Sequence, residues 1–399
     1  MDITVIPGRL QGETQAIPSK SQAHRALICA AFSNKVTNIY CAQTNEDIEA
    51  TADCLRALGA HITRTEGGYF VEPAQCVPAK AVLNCRESGS TLRFMLPVAG
   101  ALGVDSTFLL AGRLPQRPLS PLWEEMERMG CTLTKPSSNT IRCQGKLRSG
   151  KYRIDGGISS QFITGLLLAA ALIPGQTQIE ITGTLESKPY VLLTQQVLRQ
   201  FGVQSDHYIV TGSVFFSSPG CYYVEGDWSN GAFFLIAKAL GNDLTLSNLD
   251  LNSAQGDSAC VKILQQLTNE HAVIDCKDIP DLVPVLSIAS AAMHGAIFQN
   301  IGRLRLKESD RVASVLAMLR ALGANCTSDT DTLQVYPAQF SGCTIDSVND
   351  HRIAMSAAIA ATVATGPITV LGADCVKKSY PSFWDEYKRL GGHYEQYIR

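Results

Sequence analysis

The stretch Gly302–Ala324, GRLRLKESDRVASVLAMLRALGA, joins the densest charge cluster of the chain to the clearest copy of a repeated unit. It reads as a strand end, a charged corner and a helix. Lys307, Glu308, Asp310 and Arg311 set four ionisable groups within five positions, where the alternating GRLRLK pattern gives way to the helical spacing of Val312, Val315, Leu316 and Leu319. Functional side chains favour such corners, although a solvated helix start with local ion pairs would use the same residues. Gly323 marks the helix stop, since glycine tolerates the left-handed conformation found there.

The same helix ending recurs. LRALGA stands at Leu55–Ala60 and again at Leu319–Ala324, with weaker relatives around Gly130, Gly202, Asn269 and Gly391. The intervals are roughly 70 residues, with one shorter step before Gly323, so the chain reads as six copies of one unit. A chain of 399 residues exceeds the size at which a single core keeps growing, and two domains of three units each follow.

Composition excludes several classes of function. At 45% hydrophobic and 18% charged residues, with a net charge of −2, nothing suggests a nucleic-acid or anionic-membrane surface. The amino terminus, MDITVIPGRL, does not read as a secretory signal, and the longest apolar run, 162–173, is too short to span a bilayer. Thirteen cysteines without a CxxC pair fit free thiols in a reducing cytoplasm, not a disulfide frame or a zinc site. With neither a G-x-G-x-x-G nor a Walker motif, we expect no cofactor and no metal.

Each unit carries a second, more apolar helix opened by small or polar residues. The six begin near Ser21, Ser90, Ser160, Ser229, Asp281 and Asp350, and again one interval is short. A helix apolar almost all round belongs inside its domain, whereas the LRALGA type keeps a polar face and covers the outside. Short β-rich stretches lie between, at 107–110, 132–133, 179–181, 208–210, 245–246 and 368–371. Any one polar helix start is explained as an N-cap. Capping does not explain the basic residues beside them, namely Lys20, Arg25, Arg93, Arg117, Lys307, Arg311, Arg352, Lys377 and Lys378. A cation at a helix start costs roughly 0.3–1 kcal/mol, so an anionic ligand is expected there.

At this point the chain resembles the 5-enolpyruvylshikimate-3-phosphate synthases over nearly its whole length. The matching stretches, in the family's order, are PSKSQAHRAL, ESGSTLRF, QRPLSPL, SSQF, SKPY, EGDWS, IPDLVP, LKESDR, NDHRIAM and CVKKSYPSFW. The resemblance implies an α/β fold, a two-domain inside-out α/β barrel of six βαβαββ repeats with the active site in the interdomain cleft. One domain would comprise residues 1–17 and 226–399, the other 18–225. It also implies transfer of the enolpyruvyl group of phosphoenolpyruvate to the 5-hydroxyl of shikimate 3-phosphate, by addition and elimination through a tetrahedral intermediate. Such substrates bring roughly −5 to −6 of charge, which suits seven basic side chains.

Residue by residue, the resemblance assigns Lys20, Ser21, Arg25, Ser159, Ser160, Gln161, Ser187, Tyr190, Asp281 and Lys307 to shikimate 3-phosphate. It assigns Lys20, Gly89, Arg117, Gln161, Arg311, Arg352 and Lys378 to phosphoenolpyruvate, with Gly89 keeping the pyruvyl site open. The chemistry needs two carboxylates of different proton affinity. Asp281 is expected to serve the hydroxyl and Glu308 the methylene carbon, with Lys20 or Lys378 assisting phosphate departure; a plain capping role for Asp281 is the alternative. The implied partners are these small molecules alone, with neither nucleic acid nor membrane, for a cytoplasmic monomer.

Three positions depart from the family pattern: Glu87 in place of Asn, Arg303 in place of Asn or His, and a short fourth unit whose last strand pair would be trimmed. The related enolpyruvyl transferase acting on UDP-N-acetylglucosamine is the alternative, but Gly112 stands where that enzyme has its cysteine. A catalytically silent anion binder is a further one, opposed by the retention of Asp281 and Glu308. In a cleft of this kind, helix ends of the same sign would repel until anions arrive, which predicts an open free form that closes on shikimate 3-phosphate; Gly89 predicts inhibition by glyphosate in competition with phosphoenolpyruvate, with Glu87 near that site.

Overall fold

The computed structural model describes residues 1–213 and 215–397. Its helices come in pairs along the chain: α1 (Lys20–Ala31) and α2 (Glu46–Ala57), α3 (Gly89–Leu102) and α4 (Leu122–Arg128), α5 (Ser160–Ala170) and α6 (Lys188–Gln200). The series continues with α7 (Trp228–Ala239) and α8 (Cys260–Gln266), α9 (Val283–Ala292) and α10 (Arg311–Ala321), α11 (His351–Ala361) and α12 (Phe383–Arg389). Burial separates the members of each pair. Every residue of α11 and all but one of α9 are buried, whereas α6 buries only Val191, Leu193, Thr194, Val197 and Leu198. Odd-numbered helices are therefore the inner ones, as their all-round apolar sequences require, and even-numbered helices keep a wet face.

The chain divides into two compact units, one of Met1–Ile17 with Gly226–Arg399 and one of Pro18–Glu225, each with its own apolar core. In the first unit α7, α9 and α11 pack on one another; in the second, α5 packs on α1 and α3. The α3–α5 approach is close because Gly165 has no side chain. A Cβ there would lie 2.2 Å from the Arg93 carbonyl oxygen and 2.8 Å from Pro97. This contact sets Arg93 and Gln161 at a fixed separation.

One sheet pattern repeats. Lys80–Arg86 runs parallel to Asp105–Leu110, which pairs antiparallel with Thr140–Gly145, and Cys131–Ser137 completes the edge. The parallel pair wraps an inner helix and the antiparallel hairpin follows an outer one, giving βαβαββ. The same order holds for Ala272–Asp275, Ala296–Gln299, Thr332–Val335 and Cys326–Ser328. The fourth repeat keeps only Asp243–Ser247, parallel to Gln11–Gln15. After α8 the next strand, Ala272–Asp275, already belongs to the following sheet, so the absent hairpin accounts for the short interval.

Helix ends follow the repeated glycines: Gly59, Gly130, Gly202, Gly323 and Gly391 all have positive φ, between +78° and +117°. Asn269 does not share this conformation; in that repeat His271 adopts it instead, with φ 64°. Two local expectations are corrected. GRLRLK does not end a strand: the strand stops at Gln299, Asn300 turns with φ 60°, and Gly302–Leu306 forms a 3₁₀ turn with Leu304 buried. The alternation arises because Arg303 and Arg305 donate to the carbonyls of Lys277 and Asp329. Asp281 lies in the turn before α9, whose N-cap is Leu282. No helix among the described residues is long and apolar enough to cross a membrane.

Candidate functional site

In the Met1–Ile17/Gly226–Arg399 unit, the corner before α10 and the start of α11 bring charges of both signs together. Arg311 opens α10 with its side chain 1% exposed. Its Nε donates to Asp350 Oδ2 at 2.9 Å, Nη1 to Asp281 Oδ1 at 2.8 Å and Nη2 to Glu308 Oε2 at 2.6 Å. Burial alone would lower its proton affinity, but Asp350, Glu308 and Asp281 outweigh burial and raise it above that of a free arginine. Asp350 is itself buried; it caps α11 by accepting the Arg352 N–H and also takes the Ser309 hydroxyl at 3.0 Å.

Asp281 does not cap α9. It meets Arg311, Arg352 Nη2 at 3.3 Å and Lys307 Nζ at 3.7 Å, a position between three cations that a plain cap would not need. Burial brings the Lys307 ammonium down to about 8, with Asp281 opposing and Arg311 adding to the shift. The side chain stays 24% exposed, so a ligand can reach it. Lys378, ending the 3₁₀ turn Ala373–Lys378, donates to the Asn349 carbonyl at 3.0 Å, beside the same start of α11. Asp281, Lys307, Glu308, Arg311 and Arg352 thus form one ion-pair network, with Lys378 approaching from another corner.

In the Pro18–Glu225 unit the cations meet mostly neutral acceptors. Arg25 on α1 is 2% exposed; its Nε donates to Thr194 Oγ1 at 2.8 Å, and Nη2 to Thr164 Oγ1 at 3.2 Å and the Tyr190 carbonyl at 3.1 Å. Nη1 reaches the Ser21 carbonyl. Burial lowers this guanidinium to about 10. Lys20 pairs with Asp47 at 3.0 Å. Ser159 caps α5 by accepting the Gln161 N–H, and Ser160 begins the helix. Gln161 is fixed from both ends, donating through Nε2 to Ser90 Oγ at 3.0 Å and accepting from Arg93 Nη1 at 2.6 Å. Ser187, with φ 53°, precedes α6, and its carbonyl accepts the Tyr190 N–H.

Gly89 has a sharper role than leaving open space. A Cβ there would stand 2.5 Å from Nη1 of Arg117, so the guanidinium occupies the space that a side chain at 89 would take. Gly112 stands in a similar relation to Glu87: its φ is +54°, and a Cβ would come within 2.5 Å of the Glu87 carboxyl carbon. A cysteine at 112 would be strained and would collide with Glu87.

Sequence reasoning missed four contributors. Arg93 joins Gln161 to the Pro118 carbonyl beside Arg117; Asp47 and Asp350 are the carboxylates that hold Lys20 and Arg311; Asp257 lies buried near Arg352. Arg93 and Asp350 carried a signal, the first as a basic residue beside a polar helix start and the second as the polar start of the sixth inner helix. The basic residues therefore do not await an anion bare, since several are already balanced by the protein.

A family model described as EPSP synthase (3-phosphoshikimate 1-carboxyvinyltransferase) matches residues 5–387. Proteins named 3-phosphoshikimate 1-carboxyvinyltransferase from Clostridium kluyveri and Clostridioides difficile are 38% and 36% identical over 420 and 431 residues, covering 99% of this chain and 98% of each relative. Among solved structures, an EPSP synthase from Acinetobacter baumannii matches with a TM-score of 0.82 at 24% identity, over 99% of this chain and 100% of that one. The enolpyruvyl transferase NikO from Streptomyces tendae matches at 0.77 and 16%, over 99% and 98%. At these identities the structures speak for the fold.

Proposed function

The chain belongs to the EPSP synthase (3-phosphoshikimate 1-carboxyvinyltransferase) family, and from that premise we propose that it transfers the enolpyruvyl group of phosphoenolpyruvate to the 5-hydroxyl of shikimate 3-phosphate, releasing phosphate. The observation that carries the reading is Arg311, one buried guanidinium that holds both Asp281 and Glu308. Addition joins the 5-oxygen to C2 of phosphoenolpyruvate while a carboxylate takes the hydroxyl proton and an acid protonates C3. Elimination then breaks the C2–O bond to phosphate and returns the C3 proton.

Asp281 receives the hydroxyl proton and Glu308 serves C3. In the free protein Arg311 donates to both carboxylates. When an oxygen of phosphoenolpyruvate takes the Nη2 donor of Arg311, Glu308 loses the partner that favours its charge, and its proton affinity rises toward that of an acid catalyst. Arg117, Arg311, Arg352 and Lys378 bind phosphoenolpyruvate, with Lys20 or Lys378 assisting the departing phosphate. Gln161, positioned by Arg93 and Ser90, serves both substrates. Lys20, Ser21, Arg25, Ser159, Ser160, Ser187, Tyr190, Asp281 and Lys307 bind shikimate 3-phosphate. The same reading has the protein act as a cytoplasmic monomer on small anions, independent of nucleic acid and membrane. Transfer to UDP-N-acetylglucosamine is disfavoured by Gly112 and by Glu87, which fills the space a cysteine there would need.

The test is phosphate release from phosphoenolpyruvate with shikimate 3-phosphate or UDP-N-acetylglucosamine, for the parent chain and Glu308→Gln. Release with the first acceptor alone, cut by a factor of about 10²–10⁴ in the variant, is expected. Release with the second alone would overturn the substrate assignment, and tight binding without release would make the protein a silent anion binder.

A further inference from the structure

Beside the charged pair Lys20–Asp47 lies an uncharged pair that the proposed steps do not use. His24 stands one turn beyond Lys20 on α1 and Thr51 one turn beyond Asp47 on α2, so the two residues of each helix share a face. Lys20 Nζ meets Asp47 Oδ2 at 3.0 Å, and His24 Nδ1 meets Thr51 Oγ1 at 2.7 Å. Two rungs therefore join the helices. The first, with side chains 16% and 17% exposed, is open to a ligand; the second is wholly buried. This buried rung continues into α3. Thr51 Oγ1 lies 2.7 Å from Thr91 Oγ1, which in turn lies 2.8 Å from Ser88 Oγ and 3.3 Å from the Asp47 carbonyl oxygen. Ser88 caps α3 immediately before Gly89.

A hydroxyl has one proton to give, and that fixes the direction of the chain. Thr91 gives its proton to Ser88 Oγ or to the Asp47 carbonyl, so it has none for Thr51. Thr51 must then donate to Thr91, which leaves only a lone pair for His24. The imidazole therefore carries its proton on Nδ1, and the bond made there selects that tautomer. Its Nε2 finds no partner among the described residues. Phe94 on α3 meets the ring at 87°, with centroids 6.2 Å apart. Burial first, then Lys20 and Arg25, hold the proton affinity of His24 well below the usual one, which keeps the ring uncharged.

We propose that His24 is a positioning residue for Lys20: with its proton on Nδ1 it starts a one-way chain of donations, to Thr51 and on to Thr91, that sets the spacing of α1 and α2 across which Asp47 holds Lys20. The inference rests on the assignment of Lys20 and Gly89 to phosphoenolpyruvate. Both ends of the chain meet that substrate's site, since Thr91 reaches the cap before Gly89 and the backbone of Asp47. A side chain that must sit within a fraction of an ångström is held by neighbours whose own rotamers are locked by hydrogen bonds. The buried rung fixes the helices, and the exposed rung is left to exchange Asp47 for a ligand.

The experiment measures the Michaelis constant for phosphoenolpyruvate, with saturating shikimate 3-phosphate, in the parent chain, Thr51→Val, His24→Leu and His24→Asn. Thr51→Val keeps the branched shape and removes the hydroxyl; the constant should rise about 3- to 10-fold, the worth of one lost hydrogen bond, with kcat changed less. His24→Leu should do the same and add nothing further when combined with Thr51→Val, because both cut one chain. His24→Asn should restore the parent value, since its amide N–H stands where the Nδ1 proton stood. A role in packing alone would reverse that order, because Leu fills the imidazole's space better than Asn does. Selective ¹⁵N labelling of the seven histidines supplies a readout without turnover, the signal lost in His24→Asn identifying residue 24. A proton on Nδ1 is expected, and one on Nε2 would overturn the inference. Unchanged Michaelis constants in Thr51→Val and His24→Leu, in an active parent, would also overturn it and leave the function standing. An inactive parent would overturn the functional reading instead, and the chain of donations would then stand or fall on the ¹⁵N signal.

Discussion

Arg25 and Arg311 are almost equally buried and behave in opposite ways. Burial lowers the first to about 10, because its neighbours are the hydroxyls of Thr194 and Thr164 and the carbonyls of Ser21 and Tyr190. The second is raised, because Asp350, Glu308 and Asp281 outweigh burial. Neutral acceptors orient a guanidinium without cancelling its charge, which leaves Arg25 suited to attract an anion at all times. Carboxylates cancel the charge, so under the proposed function an anion reaching Arg311 would have to displace one of them. The two buried guanidiniums thus stand in opposite electrostatic settings.

The largest test of this contrast is Asp281→Asn. Losing a proton acceptor should lower kcat by about 10²–10⁴-fold with a much smaller change in the Michaelis constants. Retention of kcat within tenfold in steady-state assays would take the proton chemistry away from this residue.

Stability should separate the two arginines next. Arg311→Met strands buried carboxylates, and urea unfolding should show a loss of about 3–5 kcal/mol. Arg25→Met strands only neutral acceptors, and should lose less than half of that while raising the Michaelis constant for shikimate 3-phosphate. Equal losses would break the comparison.

Gly89→Ala displaces Arg117, whose guanidinium rests on the glycine. A shift of this kind should weaken phosphoenolpyruvate by ~10- to 100-fold, with kcat changed less, as initial rates over a range of phosphoenolpyruvate would show. An unchanged Michaelis constant would mean that Arg117 does not hold that substrate.

The smallest effect concerns Lys307, the cation of the exchange network with the lowest proton affinity. Its folded-state value, about 8, lies below the usual lysine value, so the folded protein holds fewer protons across the interval between them, and stability rises with pH there. Anion binding needs the charged form, so shikimate 3-phosphate should bind a few-fold more weakly as pH rises past 8. Equilibrium titrations at pH 7 and pH 9 measure this, and Lys307→Met should flatten the difference.

The fold was legible because its signals are local. LRALGA marks helix ends through a glycine with positive φ, and the inner helices declare themselves by apolar residues on every face. The missing hairpin of the fourth repeat appeared as a shortened interval. GRLRLK misled because alternation also fits a 3₁₀ turn whose arginines reach carbonyls on neighbouring segments. The cations of the site were legible from their place at helix starts. Their carboxylate partners were not: Asp47 lies 27 positions from Lys20 and Asp350 lies 39 from Arg311, and no spacing rule links such pairs. Nor does sequence reveal that Gly112 and Glu87 contend for one space.

The strand Asp2–Ile6 lies between Ile368–Leu371 and His393–Tyr397, antiparallel to both. During synthesis, this strand therefore waits until residues 368–397 have emerged before both neighbours are available. The segment 18–225, by contrast, has all its pairing partners in hand once Cys221–Tyr223 has joined Thr37–Tyr40. Vectorial emergence from the ribosome then favours completion of that segment first, with Asp2–Ile6 held as an unpaired edge until His393–Tyr397 emerges. Pausing late in the message would prolong the exposure of that edge, whereas pausing after residue 225 would leave the inserted segment time to finish.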